Sequence, residues 1–272
     1  MRSKKSTNSS VAAISDRHRT NGVPPFKYIS INGGTPFVLI LTILLIFSSL
    51  SAERLSFAIE YLNFTVATLD IEKTDSTISV QSSSSKFISL FTSSYENYYT
   101  TEIDSLFLPI IYKKSINQKN FQEEAIITYY HDIFTANYKD SITNMERNYN
   151  ILEDSREFFS ALYYLRTLNL KEDNNLTLDV AGKIVLLSTK YIESETIKTN
   201  IGRRNTNKIE LYFKWYDNTQ KMRSDILTNN IWLEDNTLTF WFTDDEKQIP
   251  VKAQYNMKPF SVFWNLKSAS KP

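Results

Sequence analysis

Three consecutive acids, Asp244, Asp245 and Glu246, come nearest in type and spacing to a reaction centre. Adjacent carboxylates are able to hold a cation or to act as a general acid and base. A cation needs several oxygen ligands that converge on one point, and neighbouring side chains of a strand point to alternate faces. The alternating acids and glycine of a calcium loop are also absent. We therefore predict no metal site and no catalytic residue here.

The flanking residues predict a β-hairpin whose solvated tip carries these acids and Lys247. Apolar residues recur at every second position on both sides, as two paired strands require. These residues are Leu238, Phe240 and Phe242, then Ile249, Val251, Ala253 and Tyr255. Pro250 cannot donate to a ladder, so we expect its nitrogen at a sheet edge or a bulge.

Other chemistry is restricted by composition. The chain has no cysteine, which excludes a thiol nucleophile, a disulfide and a lipid-anchoring cysteine. His131 is the sole histidine after residue 52, and neither G-x-S-x-G nor H-E-x-x-H occurs. We predict a non-enzyme without a cofactor. The alternative is a glycan hydrolase that uses two carboxylates about 5–9.5 Å apart in a cleft.

The element that must position a site is one amphipathic helix over 154–168. Asp154 is the predicted N-cap, and Glu157 lies three residues later, as in a capping box. An apolar stripe follows at helical spacing. It consists of Phe158, Ala161, Leu162 and Leu165. A second, weaker helical pattern covers 219–227.

Arg166 at the helix end has two interpretations. A basic residue in the last turn favours the helix dipole. Alternatively, Arg166 pairs with Asp244 or Asp245 and ties the helix to the hairpin. Four aromatic residues near this junction are expected to line either a packed core or an apolar cavity. They are Tyr163, Phe240, Trp241 and Phe242.

The rest of the chain after residue 52 predicts strands. Apolar residues alternate with a period of two over 55–61, 209–215 and 260–266. Less regular patterns cover 64–72, 76–81, 95–103, 108–116, 121–131, 134–140, 176–189 and 191–201. Short links favour antiparallel pairing. We predict a mostly β fold, a curved antiparallel sheet or half-open barrel packed around the one main helix.

The N-terminal part predicts export. Residues 1–36 form a basic segment that we expect to be disordered. Residues 37–52 contain the uncharged run FVLILTILLIFSSL, which is typical of a signal peptide and short for a membrane span. The segment is either cleaved or retained as an anchor that contacts the inner membrane. Residues 53–268 then form a single β-rich domain in the periplasm.

Charge excludes one class of partner. Residues 53–272 keep 25 of the 31 basic and 29 of the 30 acidic residues, a net charge of −4. A mildly acidic domain gives no electrostatic basis for binding nucleic acid. The composition does not indicate an oligomeric state.

Two motifs resemble a known family. FFSALYYLR (158–166) is followed by FWFTDDEKQIPVKAQ (240–254), and SSYENYYTTEID (93–104) precedes both. In order and spacing they resemble the bacterial exported family called domain of unknown function 3108. Gln248 stands where that family usually has arginine, and most of its glycines are absent here. The resemblance implies a periplasmic, mostly β protein whose sheet curls around a helix, as in periplasmic lipoprotein carriers, and it implies no established activity.

The predicted function is therefore that of an exported envelope protein. It binds a lipid-like or other apolar ligand, or an envelope partner. There are two alternatives to this binding protein. One is a structural or assembly factor without a ligand cavity, and the other is the carboxylate hydrolase described above.

Overall fold

A computed structural model describes residues 52–86, 94–216, 237–256 and 260–270. The predicted segments 1–36 and 219–227, and all but the last residue of 37–52, lie outside the described residues. Within the described ranges, no helix is long and apolar enough to cross a membrane.

The described residues form fourteen strands and one α-helix, α1 (Phe158–Leu165). The first eight strands are β1 (Glu53–Tyr61), β2 (Phe64–Lys73), β3 (Thr77–Ser84), β4 (Glu96–Ile103), β5 (Pro109–Gln118), β6 (Phe121–Tyr130), β7 (Thr135–Asp140) and β8 (Met145–Asn150). The last six are β9 (Asn175–Asp179), β10 (Ile184–Thr199), β11 (Gly202–Trp215), β12 (Leu238–Thr243), β13 (Pro250–Tyr255) and β14 (Val262–Ser270). A 3-10 turn (His131–Ile133) joins β6 to β7.

All strands belong to one antiparallel sheet made of two meanders. One meander runs from β1 to β8 and the other from β9 to β14, and the pairing of β1 with β14 joins them. The order β8 to β1, then β14 to β9, leaves β8 and β9 as the two edges, so the sheet is not closed by backbone pairing. The mostly β, antiparallel fold with one helix is confirmed.

The two edge strands nevertheless meet, which shows that the sheet curls. Tyr149 of β8 donates its hydroxyl to Asp179 of β9 at 2.7 Å. The backbone of Arg156 pairs with β9 on its outer side, where its N–H donates to Thr177 O at 3.0 Å. We call this meeting of β8, the 151–157 segment and β9 the seam. At the seam, side-chain hydrogen bonds and one isolated backbone bridge thus take the place of a continuous ladder of backbone hydrogen bonds.

Helix α1 is buried on nearly all sides. Phe158, Phe159 and Leu165 are at most 5% exposed, and Tyr99 of β4 packs on Phe159 with 5.6 Å between ring centroids. A helix that is apolar all round needs an enclosing partner, and the curled sheet provides it. The half-open arrangement therefore has its interior filled by its own helix.

The helix is shorter than predicted, and its cap differs. Asp154 adopts a left-handed conformation (φ 57°) outside the helix. Glu157 is the N-cap, and its carboxylate accepts from the Phe159 N–H at 2.6 Å and from Thr101 Oγ1 at 3.0 Å. The intervening Arg156 is held extended by β9, so the helix cannot begin earlier.

Two strand boundaries also differ. The pattern 176–189 contains the turn between β9 and β10, where Gly182 has a φ of 87°. The predicted break near residue 190 is instead a bulge inside β10, between Tyr191 and Glu193.

Strand β8 lies outside the predicted strands, since its sequence MERNYN has no apolar alternation. The expected bulge next to Pro250 is present, between Trp241 and Phe242.

Candidate functional site

A cleft of about 400 Å³ lies where α1 ends beside the predicted hairpin. Antiparallel order places the start of β1 and the turns after β2 and β4 at the same end of the sheet. We call this space the helix–hairpin cleft. It is lined by Glu53, Lys73, Thr74, Asp75, Phe107, Tyr163, Arg166, Thr167, Glu246 and Lys247.

An aromatic pair forms one wall of this cleft. The rings of Phe107 and Tyr163 are stacked, with centroids 6.4 Å apart and an interplanar angle of 9°. Phe107 has a left-handed φ of 59°, in a loop held by Asp104. The Asp104 carboxylate accepts the N–H groups of Leu106 and Leu108 at 2.8 Å each. The end of the family-like segment 93–104 therefore shapes the loop that presents Phe107.

A buried ion pair forms the base of the cleft. The Arg166 guanidinium donates to both oxygens of Glu53, at 2.6 and 2.7 Å, and it lies 4.7 Å from the centroid of the Tyr163 ring. Both charged side chains are close to nine-tenths buried. Burial opposes the ionisation of Glu53, but the hydrogen bonds and charge of Arg166 outweigh it and lower the Glu53 pKa. Glu53 is therefore held as a carboxylate.

The predicted ion pair of Arg166 with Asp244 or Asp245 does not form. Arg166 reaches the hairpin through the backbone, donating to Lys247 O at 3.0 Å. Asp244 instead contacts Asn207 at 2.9 Å and Lys171 at 3.3 Å.

Asp245 folds back on its own turn, accepting from Thr243 Oγ1 at 2.8 Å and from Lys247 N at 3.0 Å. Such short side chains commonly bond their own turn. The acids of the hairpin tip therefore have hydrogen-bond partners near the tip, and the Arg166 guanidinium binds the more deeply buried Glu53.

The tie between helix and hairpin exists, but Gln248 provides it. Its side-chain amide donates to the carbonyl oxygens of Arg166 and Leu168, at 2.6 and 2.9 Å. These carbonyls lie at the helix C-terminus, where the helix itself offers no donor. In the sequence, Gln248 is notable because the similar family usually has arginine at this position. That difference does not indicate which groups Gln248 contacts.

The four predicted aromatic residues have different environments. Tyr163 lines the cleft. Phe240 and Phe242 are stacked at 5.4 Å and at most 1% exposed, so they belong to the core. Trp241 lies on the opposite face, where its Nε1 donates to Glu195 at 2.7 Å.

Carboxylates elsewhere have structural partners. Asp244, Asp245 and Glu246 are exposed at the hairpin tip. Buried Asp179 accepts from Tyr129 and Tyr149, and buried Glu123 contacts Lys114 at 2.7 Å. Over the described ranges, no three histidine or acidic side chains group in a way that could hold a metal ion.

Comparisons with known proteins support the fold. A β-barrel-like protein with domain of unknown function DUF1849 from Brucella abortus is 8% identical, with a TM-score of 0.52, covering 82% of this chain and 99% of the other. A candidate exported protein with a YmcC-like fold from Bacteroides fragilis is 9% identical, with a TM-score of 0.31, covering 80% and 95%. A candidate lipoprotein from Parabacteroides distasonis is 9% identical, with a TM-score of 0.31, covering 81% of this chain and 95% of the other.

The similarity to the Brucella protein shows the fold and nothing about function. The TM-scores of the other two are too low to support any conclusion. No curated protein matches the chain. The sequence model of a family described as protein of unknown function, DUF3108, matches residues 54–259. The matched range includes the helix, the hairpin and the loop that presents Phe107.

Proposed function

The chain belongs to the DUF3108 family of proteins of unknown function, and on that basis we propose that it is an exported, non-enzymatic protein of the bacterial envelope. Its helix–hairpin cleft binds a lipid-like amphiphile. The observation that carries this proposal is the stacked pair Phe107–Tyr163 in the wall of an open cleft. Ligand sites combine such apolar walls with a few placed polar groups.

The charged residues around the aromatic pair favour a zwitterionic head group, because the acids Glu53, Asp75 and Glu246 of the cleft equal its bases Lys73, Arg166 and Lys247 in number. Lys73 lies 5.3 Å from the centroid of the Phe107 ring, and Lys247 also lines the cleft. Arg166 is occupied by Glu53 and contributes little charge of its own. An amphiphile can place its apolar part on the rings and its head beside the two lysines.

The non-enzymatic part of the proposal rests on the carboxylates of the cleft. Glu53 is paired with Arg166, and its lowered pKa makes it a poor general acid. Glu246 is exposed at the hairpin tip. A hydrolase needs one carboxyl with a raised pKa opposite a second one. The location that we propose is the periplasm, with residues 37–52 acting as a cleaved signal or as an inner-membrane anchor.

One observation favours the rival role of a structural or assembly factor. Helix α1 fills the interior of the curled sheet, and Phe240 and Phe242 pack tightly in the core. The helix thus occupies the space that a carrier would use for its ligand, and the lipid proposed here binds in the cleft at the end of the sheet.

The test is native mass spectrometry of the full chain purified from its own envelope, with the variant Phe107→Asn. Asparagine tolerates left-handed φ values, so this change removes the ring without straining the loop. The matched control is Phe134→Asn, because Phe134 also has a positive φ (53°) and is 49% exposed, but does not line the cleft.

We expect a co-purified lipid on the parent chain and on the Phe134 variant, and at least a tenfold lower bound fraction on the Phe107 variant. A parent protein that carries no lipid would overturn the proposal in favour of the structural role. Equal lipid on both variants would place the ligand outside this cleft.

A further inference from the structure

A second cleft lies on the outer face of the sheet, under the tip of the β10–β11 hairpin. This hairpin is longer than its neighbours, and β12 pairs with it only between Thr206 and Leu211. Its tip bends across β12 and β13, so that Asn200 Nδ2 donates to Leu266 O of β14 at 3.0 Å. We call the enclosed space, about 310 Å³, the hairpin-tip cleft.

The walls of the hairpin-tip cleft come from the hairpin on one side and from β1, β13 and β14 on the other. They are formed by Glu60, Ile197, Lys198, Thr199, Asn200, Val251, Lys252, Asn265, Leu266 and Lys267. None of these residues lines the helix–hairpin cleft. The two clefts are therefore separate sites.

The hairpin-tip cleft has an excess of positive charge. Its single acid, Glu60, is already bonded to Asn265 at 2.9 Å and to Lys267 at 3.4 Å. Lys198 and Lys252 remain, and neither forms an ion pair within the described part of the chain. The net formal charge of the residues that line the cleft is thus +2.

Lys252 is the more unusual of the two lysines. Its ammonium lies 4.4 Å from the centroid of the Trp241 ring and 5.4 Å from that of Phe263. It is half-buried, and this burial lowers its pKa. A partly desolvated ammonium group without a direct ion pair is unfavourable, and a bound anion compensates it.

The nearby charged groups act on Lys252 in opposite directions. Glu195, which accepts from Trp241 Nε1, favours the charged form of Lys252, whereas Lys208, itself paired with Glu193 at 3.0 Å, disfavours it. Neither group forms a direct ion pair with Lys252. The strand partners of Ile197 and Lys198 are Arg204 and Arg203, which add further exposed positive charge at the tip.

We propose that the hairpin-tip cleft binds a small soluble phosphomonoester between Lys198 of the hairpin and Lys252 of β13. A phosphomonoester carries about −1.5 to −2 charges at pH 7, which matches two unpaired ammonium groups better than a single carboxylate does. Lysine binds phosphate as a point charge. The side-chain amides of Asn200 and Asn265 supply hydrogen-bonding groups within the same walls.

The size of the cleft indicates the rest of the ligand. About 310 Å³ is at the lower end of the range for small-molecule sites, roughly 300–1,000 Å³. It therefore accommodates a phosphate with a sugar-sized or glycerol-sized organic part. The proposal is independent of the lipid proposed for the other cleft.

The test is calorimetric titration of the full chain with inorganic phosphate and with glycerol 3-phosphate, at constant ionic strength. The variant is Lys252→Met, and the matched control is Lys190→Met, an exposed lysine on the same hairpin that does not line the cleft. We expect binding by the parent and the control, and at least a tenfold weaker binding by the Lys252 variant. Thermal unfolding should show that the Lys252 variant remains folded, because methionine keeps an apolar side chain beside the Trp241 ring while it removes the charge.

Two results would overturn this proposal. One is the absence of binding to both phosphates at millimolar concentrations. The other is equal affinity of the parent and the Lys252 variant. A third arm uses phosphatidylglycerol vesicles, and binding to vesicles without binding to either soluble phosphate would reject the soluble ligand in favour of a lipid head group. Phosphate binding that persists in the Phe107→Asn variant would separate this site from the proposed lipid site.

Discussion

The seam and the helix–hairpin junction both join parts of the fold through buried polar side chains, but they do so with opposite electrostatics. At the seam, Asp179 accepts from Tyr129 Oη at 2.9 Å, from Tyr149 Oη at 2.7 Å and from Gly182 N at 2.7 Å. All of these donors are neutral. Burial raises the Asp179 pKa, against the effect of its hydrogen bonds.

At the junction, Arg166 supplies a full positive charge to Glu53, and the Glu53 pKa is lowered. At the seam, Asp179 and Tyr129 are at most 5% exposed, whereas the junction borders an open cleft. The difference indicates separate roles. The seam holds two sheet edges together, and the junction fixes the wall of a site.

The largest effect should come from Asp179→Ala at the seam. This change leaves the buried Tyr129 hydroxyl, the half-buried Tyr149 hydroxyl and the half-buried Gly182 N–H without their acceptor. A buried unsatisfied group costs about 1–3 kcal/mol, and solvent can replace the acceptor in part for the two half-buried groups, so we expect a loss of about 3–5 kcal/mol in the free energy of unfolding. Urea denaturation measures it. The exposed Asp173 is the control, and Asp173→Ala should change stability by less than about 0.5 kcal/mol. A loss below about 1 kcal/mol for Asp179→Ala would show that the seam does not hold the edges.

A smaller effect is expected for Arg166→Met at the junction. Removing the guanidinium leaves Glu53 buried without a partner, which costs about 2–4 kcal/mol because some solvent reaches the cleft. Arg54→Met is a close control, because Arg54 contacts Glu72 at 3.1 Å in a pair that is well exposed. An exposed pair contributes about 0–1 kcal/mol. Similar losses for both arginine variants would contradict the distinction between the junction and an ordinary surface pair.

The smallest effect is a difference in the sign of pH dependence. Glu53 has a lowered pKa in the folded state, so its contribution is present above the ordinary carboxyl range and is lost as the pH falls below it. Asp179 has a raised pKa, so its contribution is least favourable at neutral pH and improves as the pH falls through the folded-state value. Unfolding free energies of the parent, Glu53→Gln and Asp179→Asn should be measured from neutral to acidic pH.

The parent's advantage over Glu53→Gln should shrink on acidification, whereas its advantage over Asp179→Asn should grow. Two difference curves of the same sign would contradict the assignment of opposite electrostatics to the two regions. A buffer exchange at fixed pH controls for specific ion effects.

Alternation along the chain was sufficient to predict most of the sheet. Strands such as β1 and β11 place apolar residues on one face, and burial follows that alternation in β11 from Ile209 to Phe213. Apolar alternation fails to predict a strand where the strand has no buried face. Strand β8 is held at an edge by Tyr149 and Arg147 and has little apolar periodicity. The bulge after Tyr191 shifts the alternation by one residue and therefore imitates the end of a strand.

The candidate sites were harder to predict, because they depend on contacts between distant segments. The sequence motifs indicate that the helix and the hairpin belong together, and two hydrogen bonds show that contact: Gln248 donates to Arg166 O, and Arg166 donates to Lys247 O. Nothing local to Arg166 indicates Glu53, which lies 113 residues earlier. The hairpin-tip cleft depends on how far β10 and β11 extend and bend, which periodicity does not specify.

The pairing of β1 with β14 sets the order in which the protein can fold. Each meander forms from neighbouring hairpins, but the strands that join them are separated by about 200 residues. Because β1 precedes β14 along the chain, β1 emerges first from the ribosome or from a translocation channel, and its partner strand emerges last. During that interval the edge of β1 is unpaired and its apolar side chains are available to other chains. This topology therefore makes the nascent protein most prone to aggregation before its last strand emerges, and a chaperone that covers β1 would protect it most.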